Sequence, residues 1–295
     1  MPRCDWRTTS ESHVALPSNI GRFARASLAE AHESVVVAVF SRAAYLRCAW
    51  EGGHGVVALT TLDVPPGPLH VRMSRLPRLS RGEAVFADAG RLVTATETVK
   101  LPRAPWIPPR IDGIADRRSA AAMLLDDVLG IRGLLDVAGK TLDVRALVAE
   151  RGLQATLASL AGRGLGLTPA GDDCSAGIVL VTALLHSEGF PPFSPRELSS
   201  MVAGYDSHEI AVAFLEAAAA GESIEPLHLL LRACVEGDQA AAMRQREVLA
   251  GIGRTSGLDL AYGAGVGLAL AETISSESCE GRVRERITRR SQRPA

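Results

Sequence analysis

Hydrophobic and polar positions alternate in the first third of the chain as they do in half-buried strands. Leu69, Val71 and Met73 alternate with polar neighbours, and residues 35–40 and 56–62 form short runs rich in β-branched side chains. Glycine and proline turn signals separate these runs, with no helical pattern between them. The pattern predicts an antiparallel sheet or small barrel, and we assign it to a β-rich domain over residues 31–101.

The pattern changes after a proline-rich segment, residues 102–115, which we expect to be a linker because such a density of proline continues neither a strand nor a helix. Beyond it, Ala- and Leu-rich stretches with capping residues such as Ser194 and Asp238 predict helices. The expected fold class is therefore α+β: an N-terminal antiparallel β-rich domain followed by a C-terminal α-helical domain over residues 116–276.

The two ends of the chain are expected to contribute little to the core. Residues 1–30 form an N-terminal segment that we expect to be partly flexible. Residues 277–295 are rich in arginine and lack apolar periodicity, which indicates a flexible basic tail.

Charge and composition narrow the function classes. Lys+Arg total 32 and Asp+Glu total 33, a net charge of −1, so no overall field attracts nucleic acid or an anionic membrane, and neither partner is expected. The five cysteines are dispersed and form no C-x-x-C pair, which argues against a disulfide framework or a zinc site. A cytoplasmic location fits this pattern best.

A glycine-rich segment, residues 162–173, carries the clearest chemical signal. Thr168 is a suitable N-cap and the next residue, Pro169, a suitable first helical residue, while Gly164 and Gly166 permit positive φ and close approach of a ligand to the main chain. The free N–H groups at a helix start favour an anion. The segment therefore predicts an anion-binding loop, which also includes Gly171.

Three side chains of this loop are candidates for chemistry. Arg163 is a candidate fork for the anion, and Asp172 and Asp173 fall in the first turns of the helix, where we consider them as catalytic groups. Acidic residues near a helix start are also stabilised by the helix dipole without any function, so a purely structural role stays open.

Two further positions are candidates. Arg254, Thr255 and Ser256 precede another predicted helix, and a second helix start facing the first loop would give one pocket two anion subsites. An ordinary helix start is the alternative. His208 is a candidate general base, although capping of a helix start explains its neighbour Glu209 equally well.

The loop also resembles a known family. Residues 166–173, Gly-Leu-Thr-Pro-Ala-Gly-Asp-Asp, are similar to the G-L-T-P-S-G-D-D signature of a bacterial family that includes the AllH-type subunit of oxamate carbamoyltransferase. Phe40-Ser41 and residues 252–257, Ile-Gly-Arg-Thr-Ser-Gly, extend the resemblance over about residues 30–275. Ala170 and Arg254 depart from the usual Ser and His of the family pattern, which leaves room for a different substrate.

The resemblance implies phosphorolysis of oxalurate to oxamate and carbamoyl phosphate, or the reverse, by a chain that works with companion subunits. The expected ligand is thus a small anion. Because Asp172 and Asp173 would repel it unless protonated or bridged by a cation, we expect that Mg²⁺ could bind through Asp172 or Asp173 together with substrate oxygens. Two alternatives stay open: a non-catalytic metabolite-binding or assembly subunit, and a Mg²⁺-dependent phosphohydrolase suggested by the Asp pair alone.

Overall fold

The computed structural model describes residues 18–31, 33–88, 90–130, 134–137, 140–190 and 193–271. Residues 1–17 of the expected N-terminal segment and the whole expected tail, residues 277–295, lie outside this description. Residues 22–30 of the same N-terminal segment form a helix, α1, whose Ala24 and Leu28 are buried one turn apart. The sequence analysis did not predict this helix.

A seven-stranded sheet forms the N-terminal half, in the order β4-β3-β2-β1-β5-β6-β7. Its strands are β1 (Glu33–Val39), β2 (Ala43–Trp50), β3 (Gly53–Thr61), β4 (His70–Met73), β5 (Ala84–Asp88), β6 (Arg91–Val93) and β7 (Thr98–Lys100). Buried residues of the central strands, Val36, Leu46, Val57 and Leu59 among them, form its core together with α1.

The sheet is mixed, since one pair departs from the expected antiparallel arrangement. Strands β3 and β4 pair in parallel, and the other pairs of the sheet are antiparallel. The short connection between them is rich in proline and carries the chain back along β3 without a crossover helix. The Arg72 guanidinium fixes this connection by donating to the carbonyls of Val64 (2.8 Å) and Leu62 (2.5 Å).

Helices dominate the C-terminal half, which confirms the α+β fold class. They are α2 (Ile114–Leu129), α3 (Val144–Leu160), α4 (Ala170–Ser187), α5 (Pro195–Ala203), α6 (Glu209–Ala219), α7 (Glu225–Glu236), α8 (Gln239–Ala250) and α9 (256–271). Helix α4 is almost wholly buried and lies at the centre of the bundle. None of the helices in the described part of the chain is long and apolar enough to cross a membrane.

Two local features of the helical half differ from the expectation. A two-stranded hairpin, β8 (Leu134–Val137) with β9 (Lys140–Asp143), interrupts it between α2 and α3. Helix α3 is kinked at Gly152, whose φ of 77° and ψ of 167° are not helical. Asp143 caps α3 by accepting from the Ala146 N–H.

The two halves share an apolar interface. Val56 and Leu69 of the sheet pack with Ile210 and Ala213 of α6. Arg47 of β2 forms a two-pronged ion pair with Glu209 at the start of α6, which includes a 2.6 Å contact from Nη2 to Oε1. Leu167 of the glycine-rich loop packs against the same cluster, so the loop lies at this interface.

Candidate functional site

The glycine-rich loop lies between α3 and α4 and has the backbone that its glycines predicted. Gly164 and Gly166 have φ of 125° and 97°. Helix α4 begins one residue later than expected: Pro169, with φ −57° and ψ 151°, is the N-cap, and Thr168 lies outside the helix. Because the loop bends back on α4, a Cβ on Gly164 would lie 2.6 Å from the Ala170 nitrogen.

The second predicted segment lies against this loop. The Oγ1 of Thr168 and the Oγ of Ser256 are 3.2 Å apart, although 88 positions separate them. The loop (164–168), the turn before α9 (253–255) and the first residue of α9, Ser256, line one open cleft of about 720 Å³, which we call the outer cleft. The starts of α4 and α9 therefore lie beside one cleft.

A smaller space, which we call the inner chamber, adjoins the outer cleft at the interface of the two halves. It measures about 170 Å³ and shares Tyr45, Thr168, Gly253 and Ser256 with the outer cleft. Its walls are mainly apolar. The polar residues Thr60, His70 and Asp173 also line it.

Asp172 is buried, with 3% of its surface exposed, and its carboxylate is held by protein donors. Its Oδ1 accepts from the Gly162 N–H (2.8 Å) and from the Tyr205 hydroxyl (2.8 Å), and its Oδ2 accepts from the Ser207 hydroxyl. Asp172 lines neither the outer cleft nor the inner chamber. Its contacts tie the start of the loop to α4 and to the segment before α6.

Asp173 has different surroundings. Its Oδ2 is buried and has no hydrogen-bond partner among the described residues. Burial raises the pKa of this carboxyl well above its usual range, and Asp259 and Asp172 raise it further; hydrogen bonds from Ser256 and Thr168 offset part of the rise. Asp173 is therefore placed to be a neutral carboxylic acid at the chamber wall.

Asp259, in the first turn of α9, lines the outer cleft. Burial raises its pKa to about 6, with a further rise from Asp136 across the cleft and a partial offset from a Thr255 hydrogen bond. A carboxyl that titrates near neutral pH is suited to general acid–base chemistry. The sequence analysis did not select Asp259, since an acidic residue three positions after Ser256 fits equally well as part of a cap.

His70 lines the chamber as a neutral imidazole. Its Nδ1 donates to the Pro65 carbonyl (2.8 Å), which leaves Nε2 as an acceptor. Burial lowers the pKa of His70 to about 4, and the neighbouring Arg72 lowers it as well. No periodicity marks His70 or Thr60 as site residues, because strand alternation shows only which face a side chain occupies.

The remaining candidates occupy different places. Arg254 and Thr255 line the outer cleft, whereas Arg163 is exposed and outside its lining. His208 is the N-cap of α6 and accepts from the Ile210 N–H (3.2 Å), also outside the lining. Gly171 permits packing of α4 on α3, because a Cβ there would lie 2.2 Å from the Leu160 carbonyl oxygen.

The Asp172–Asp173 pair does not fit a shared Mg²⁺ ion. Both oxygens of Asp172 already accept hydrogen bonds from protein groups, and Asp172 does not line the cleft. Within the described ranges, no group of three or more His, Cys, Asp or Glu side chains is arranged to hold a metal ion.

The fold and these two spaces define an α+β protein with a polar cleft between loops at two helix starts. The family model for oxamate carbamoyltransferase subunit AllH matches residues 160–268, which include both loops of the outer cleft. This match confirms the family resemblance for that segment. No solved structure matches the chain.

Proposed function

We propose that this chain is a carbamoyltransferase-type subunit whose outer cleft binds a small carboxylated ureide or amide such as oxalurate or oxamate. The observation that carries the proposal is the meeting of two helix starts at one cleft, through the Thr168–Ser256 contact of 3.2 Å. Free N–H groups at a helix start bind anionic oxygens, and two such starts suit a reaction that brings two anions together.

Arg254 supplies the positive charge. Among the described residues that line the outer cleft it is the one Arg or Lys, and it is exposed to solvent. A guanidinium can bind a carboxylate or phosphate through two parallel hydrogen bonds. Arg254 and Ala170, which both depart from the family pattern, line this cleft, so we expect a change of substrate to arise at these two positions.

The reaction that we propose is phosphorolysis of oxalurate or its reverse. A phosphate oxygen bonds to the carbamoyl carbon, the bond from that carbon to the amide nitrogen breaks, and the nitrogen takes a proton, which yields carbamoyl phosphate and oxamate. The negative charge on the oxygen of the tetrahedral intermediate is stabilised by preorganised N–H and guanidinium donors.

Asp259 is our candidate for the proton transfer. It lines the same cleft, and its pKa of about 6 allows both protonation states near neutral pH. Asp172 is assigned a positioning role, because it holds Gly162 and lines neither space. His208 remains a candidate base without support from its position, since its Nδ1 already accepts from Ile210.

The family description names a subunit, and we infer that this chain works with companion subunits. A metabolite-binding or assembly chain, with the chemistry in another chain, needs the same cleft and is the rival proposal. The Asp pair is the only support for a phosphohydrolase, and its geometry removes that support. The dispersed cysteines, three of them free and buried in the described residues, continue to favour a cytoplasmic location.

The test measures binding and turnover separately. Calorimetry with oxamate, oxalurate and carbamoyl phosphate is compared between the wild type, Arg254→Gln and the exposed control Arg196→Gln. We expect binding that Arg254→Gln weakens by about tenfold or more and the control leaves unchanged. Absence of binding by all three ligands would overturn the proposal.

Turnover is measured as carbamoyl phosphate released from oxalurate and phosphate. Activity of the chain alone would exclude the assembly alternative. If the chain binds the ligands without activity and becomes active once companion subunits are added, Asp259→Asn is assayed in the complex. Loss of turnover at unchanged binding would then assign the chemistry to this chain.

A further inference from the structure

The inner chamber has a chemistry that differs from that of the outer cleft. Arginine and lysine are both absent from its described lining, and most of the wall is apolar, with Phe214, Ile224 and Leu260 among the contributing side chains. Arg72 is close to His70 but is held by carbonyls of the β3–β4 connection. An anion in this chamber would therefore lose its hydration without meeting a cation.

Two residues that line the chamber each carry a buried oxygen atom that has no hydrogen-bond partner among the described residues. These atoms are Oδ2 of Asp173 and Oγ1 of Thr60. A buried polar atom without a partner is costly, and native structures retain few of them. The pair indicates that something polar completes the hydrogen bonding of this wall.

The protonation states of the residues in the chamber wall determine which polar group can bind there. Burial and acidic neighbours raise the pKa of Asp173, which favours a neutral carboxyl that can donate a proton through one oxygen, and Thr60 can donate or accept. The Nε2 of His70 can only accept, because Nδ1 donates to Pro65. Donors and acceptors together, with no net charge, suit a carbonyl and an N–H on one planar group.

We propose that the inner chamber is the subsite for the uncharged planar end of the ligand, the terminal amide of a carboxamide or ureido group, which contacts Asp173, Thr60 and His70. The carbamoyl carbon then lies where the chamber adjoins the outer cleft, beside Thr168 and Ser256, and phosphate reaches it from the cleft. The anionic end then stays in the outer cleft beside Arg254. This assignment rests on the proposed function and specifies its substrate class: monoanions with one neutral amide-type end.

The size and position of the chamber agree with this assignment. A cavity of roughly 150 Å³ holds a benzene-sized molecule, so about 170 Å³ accommodates the few heavy atoms of a ureido group. The chamber and the cleft adjoin at Tyr45 and Thr168, which line both of them, and we place the passage of the ligand there. One extended ligand can thus occupy both spaces.

Matched ligands test the chamber directly. Oxalurate and oxaloacetate have nearly the same shape, but oxaloacetate carries a second carboxylate in place of the terminal carboxamide; oxamate and oxalate form a shorter pair. Calorimetry on the full chain should show each monoanion binding at least about tenfold more tightly than its dianion, because a desolvated charge without a partner is strongly disfavoured. Equal or tighter binding of the dianions would overturn the assignment.

Variants of the chamber residues show which side chains bind the uncharged end of the ligand. Thr60→Val keeps the shape and removes the hydroxyl, and we expect oxalurate affinity to fall by about fivefold, the effect of one neutral hydrogen bond. Thr98→Val, on the exposed strand β7, is the matched control. Asp173→Leu should weaken binding more than Asp173→Asn, because Asn keeps a neutral donor at that position.

The outcomes separate the two proposals. Binding that depends on Arg254 but not on Thr60 or Asp173 would retain the proposed function and overturn the chamber assignment. Tighter binding of 4-aminobutyrate than of oxalurate would show that the chamber takes a cation and would also overturn it. Failure of every ligand to bind would remove both.

Discussion

Asp172 and Asp173 are neighbours in the chain, yet their carboxyl groups lie in opposite surroundings. Asp172 accepts hydrogen bonds from a backbone N–H and two hydroxyls, whereas Asp173 has a buried oxygen without a partner among the described residues. Consecutive helical residues point about 100° apart, so one side chain faces the bundle and the other the interface. A pair that looks like a single diacidic site has two separate roles.

The role of Asp172 makes a prediction about stability. Asp172→Asn removes the charge and places an amide where Gly162, Tyr205 and Ser207 all offer donors. We expect the free energy of unfolding to fall by about 1.5–3 kcal/mol, the range for a hydrogen bond to a charged group. Urea denaturation followed by circular dichroism measures it.

Asp206→Asn is the control for this change, since Asp206 is exposed in the same neighbourhood. An Asp172→Asn variant as stable as the control would contradict the positioning role. It would return Asp172 to the group of candidate ligands of the anion.

Much of the helical half could be predicted because local chemistry determines its boundaries. Ser194 begins α5 with a complete capping box, Asp238 caps α8, and Gly189, Gly221 and Gly237 follow helix ends with positive φ. These signals depend on neighbours in sequence. The short hairpin β8–β9 carries no such signal, and its apolar residues fit a helical region equally well.

The site was only partly predictable, for a physical reason. Glycines, a cap and a proline identify the loop, but nothing in the sequence shows that Tyr45, Thr60 and His70 come from the sheet to meet it. Contacts between halves depend on the parallel pairing of β3 with β4 and on the packing of α6, both of which are long-range. The predicted domain bounds at residues 101 and 116 stay a prediction.

Glycine substitutions test the shape of the loop. Gly171→Ala would bring its Cβ to 2.2 Å from the Leu160 carbonyl oxygen, so α4 must move away from α3. At Gly166 nothing lies within 4 Å of the position that a Cβ would take, and only the positive φ disfavours alanine. We expect Gly171→Ala to lower the free energy of unfolding by several times the roughly 1 kcal/mol of Gly166→Ala. Thermal and urea unfolding of the two variants side by side measure the ratio; equal losses would contradict the packing role of Gly171.

We predict that the hydroxyl of Ser256 lowers the pKa of Asp173. Its hydrogen bond lowers the pKa of Asp173 against the larger effect of burial. Ser256→Ala should therefore raise that pKa further, which carbon NMR of the labelled carboxyl would detect. Ser199→Ala, an exposed change in α5, should leave it unchanged. An unchanged pKa of Asp173 in Ser256→Ala would mean that the two side chains are not hydrogen-bonded in solution.

The lowered pKa of His70, at the interface of the two halves, predicts how the free energy of unfolding depends on pH. Its pKa is lowered from 6.5 to about 4 in the folded chain, mainly by burial, so between these values the unfolded chain binds a proton that the folded chain does not. Stability from this group is complete above pH 6.5 and is lost as pH falls toward 4. At 1.36 kcal/mol for each pKa unit the full loss is about 3 kcal/mol.

Comparison of variants isolates this contribution, because other groups titrate in the same range. His228, whose pKa is also lowered to about 4, adds to the loss, whereas Asp259, whose pKa is raised to about 6, becomes less stabilising as pH rises. Both are present in the wild type and in His70→Gln, so their effects cancel when the two are compared.

The free energy of unfolding should therefore change less between pH 7 and pH 4.5 in His70→Gln than in the wild type. The exposed control His54→Gln should keep the wild-type dependence. An unaltered dependence in His70→Gln would mean that the His70 imidazole is accessible to protons in the folded chain, and the chamber wall would then carry a charge that its apolar lining does not accommodate.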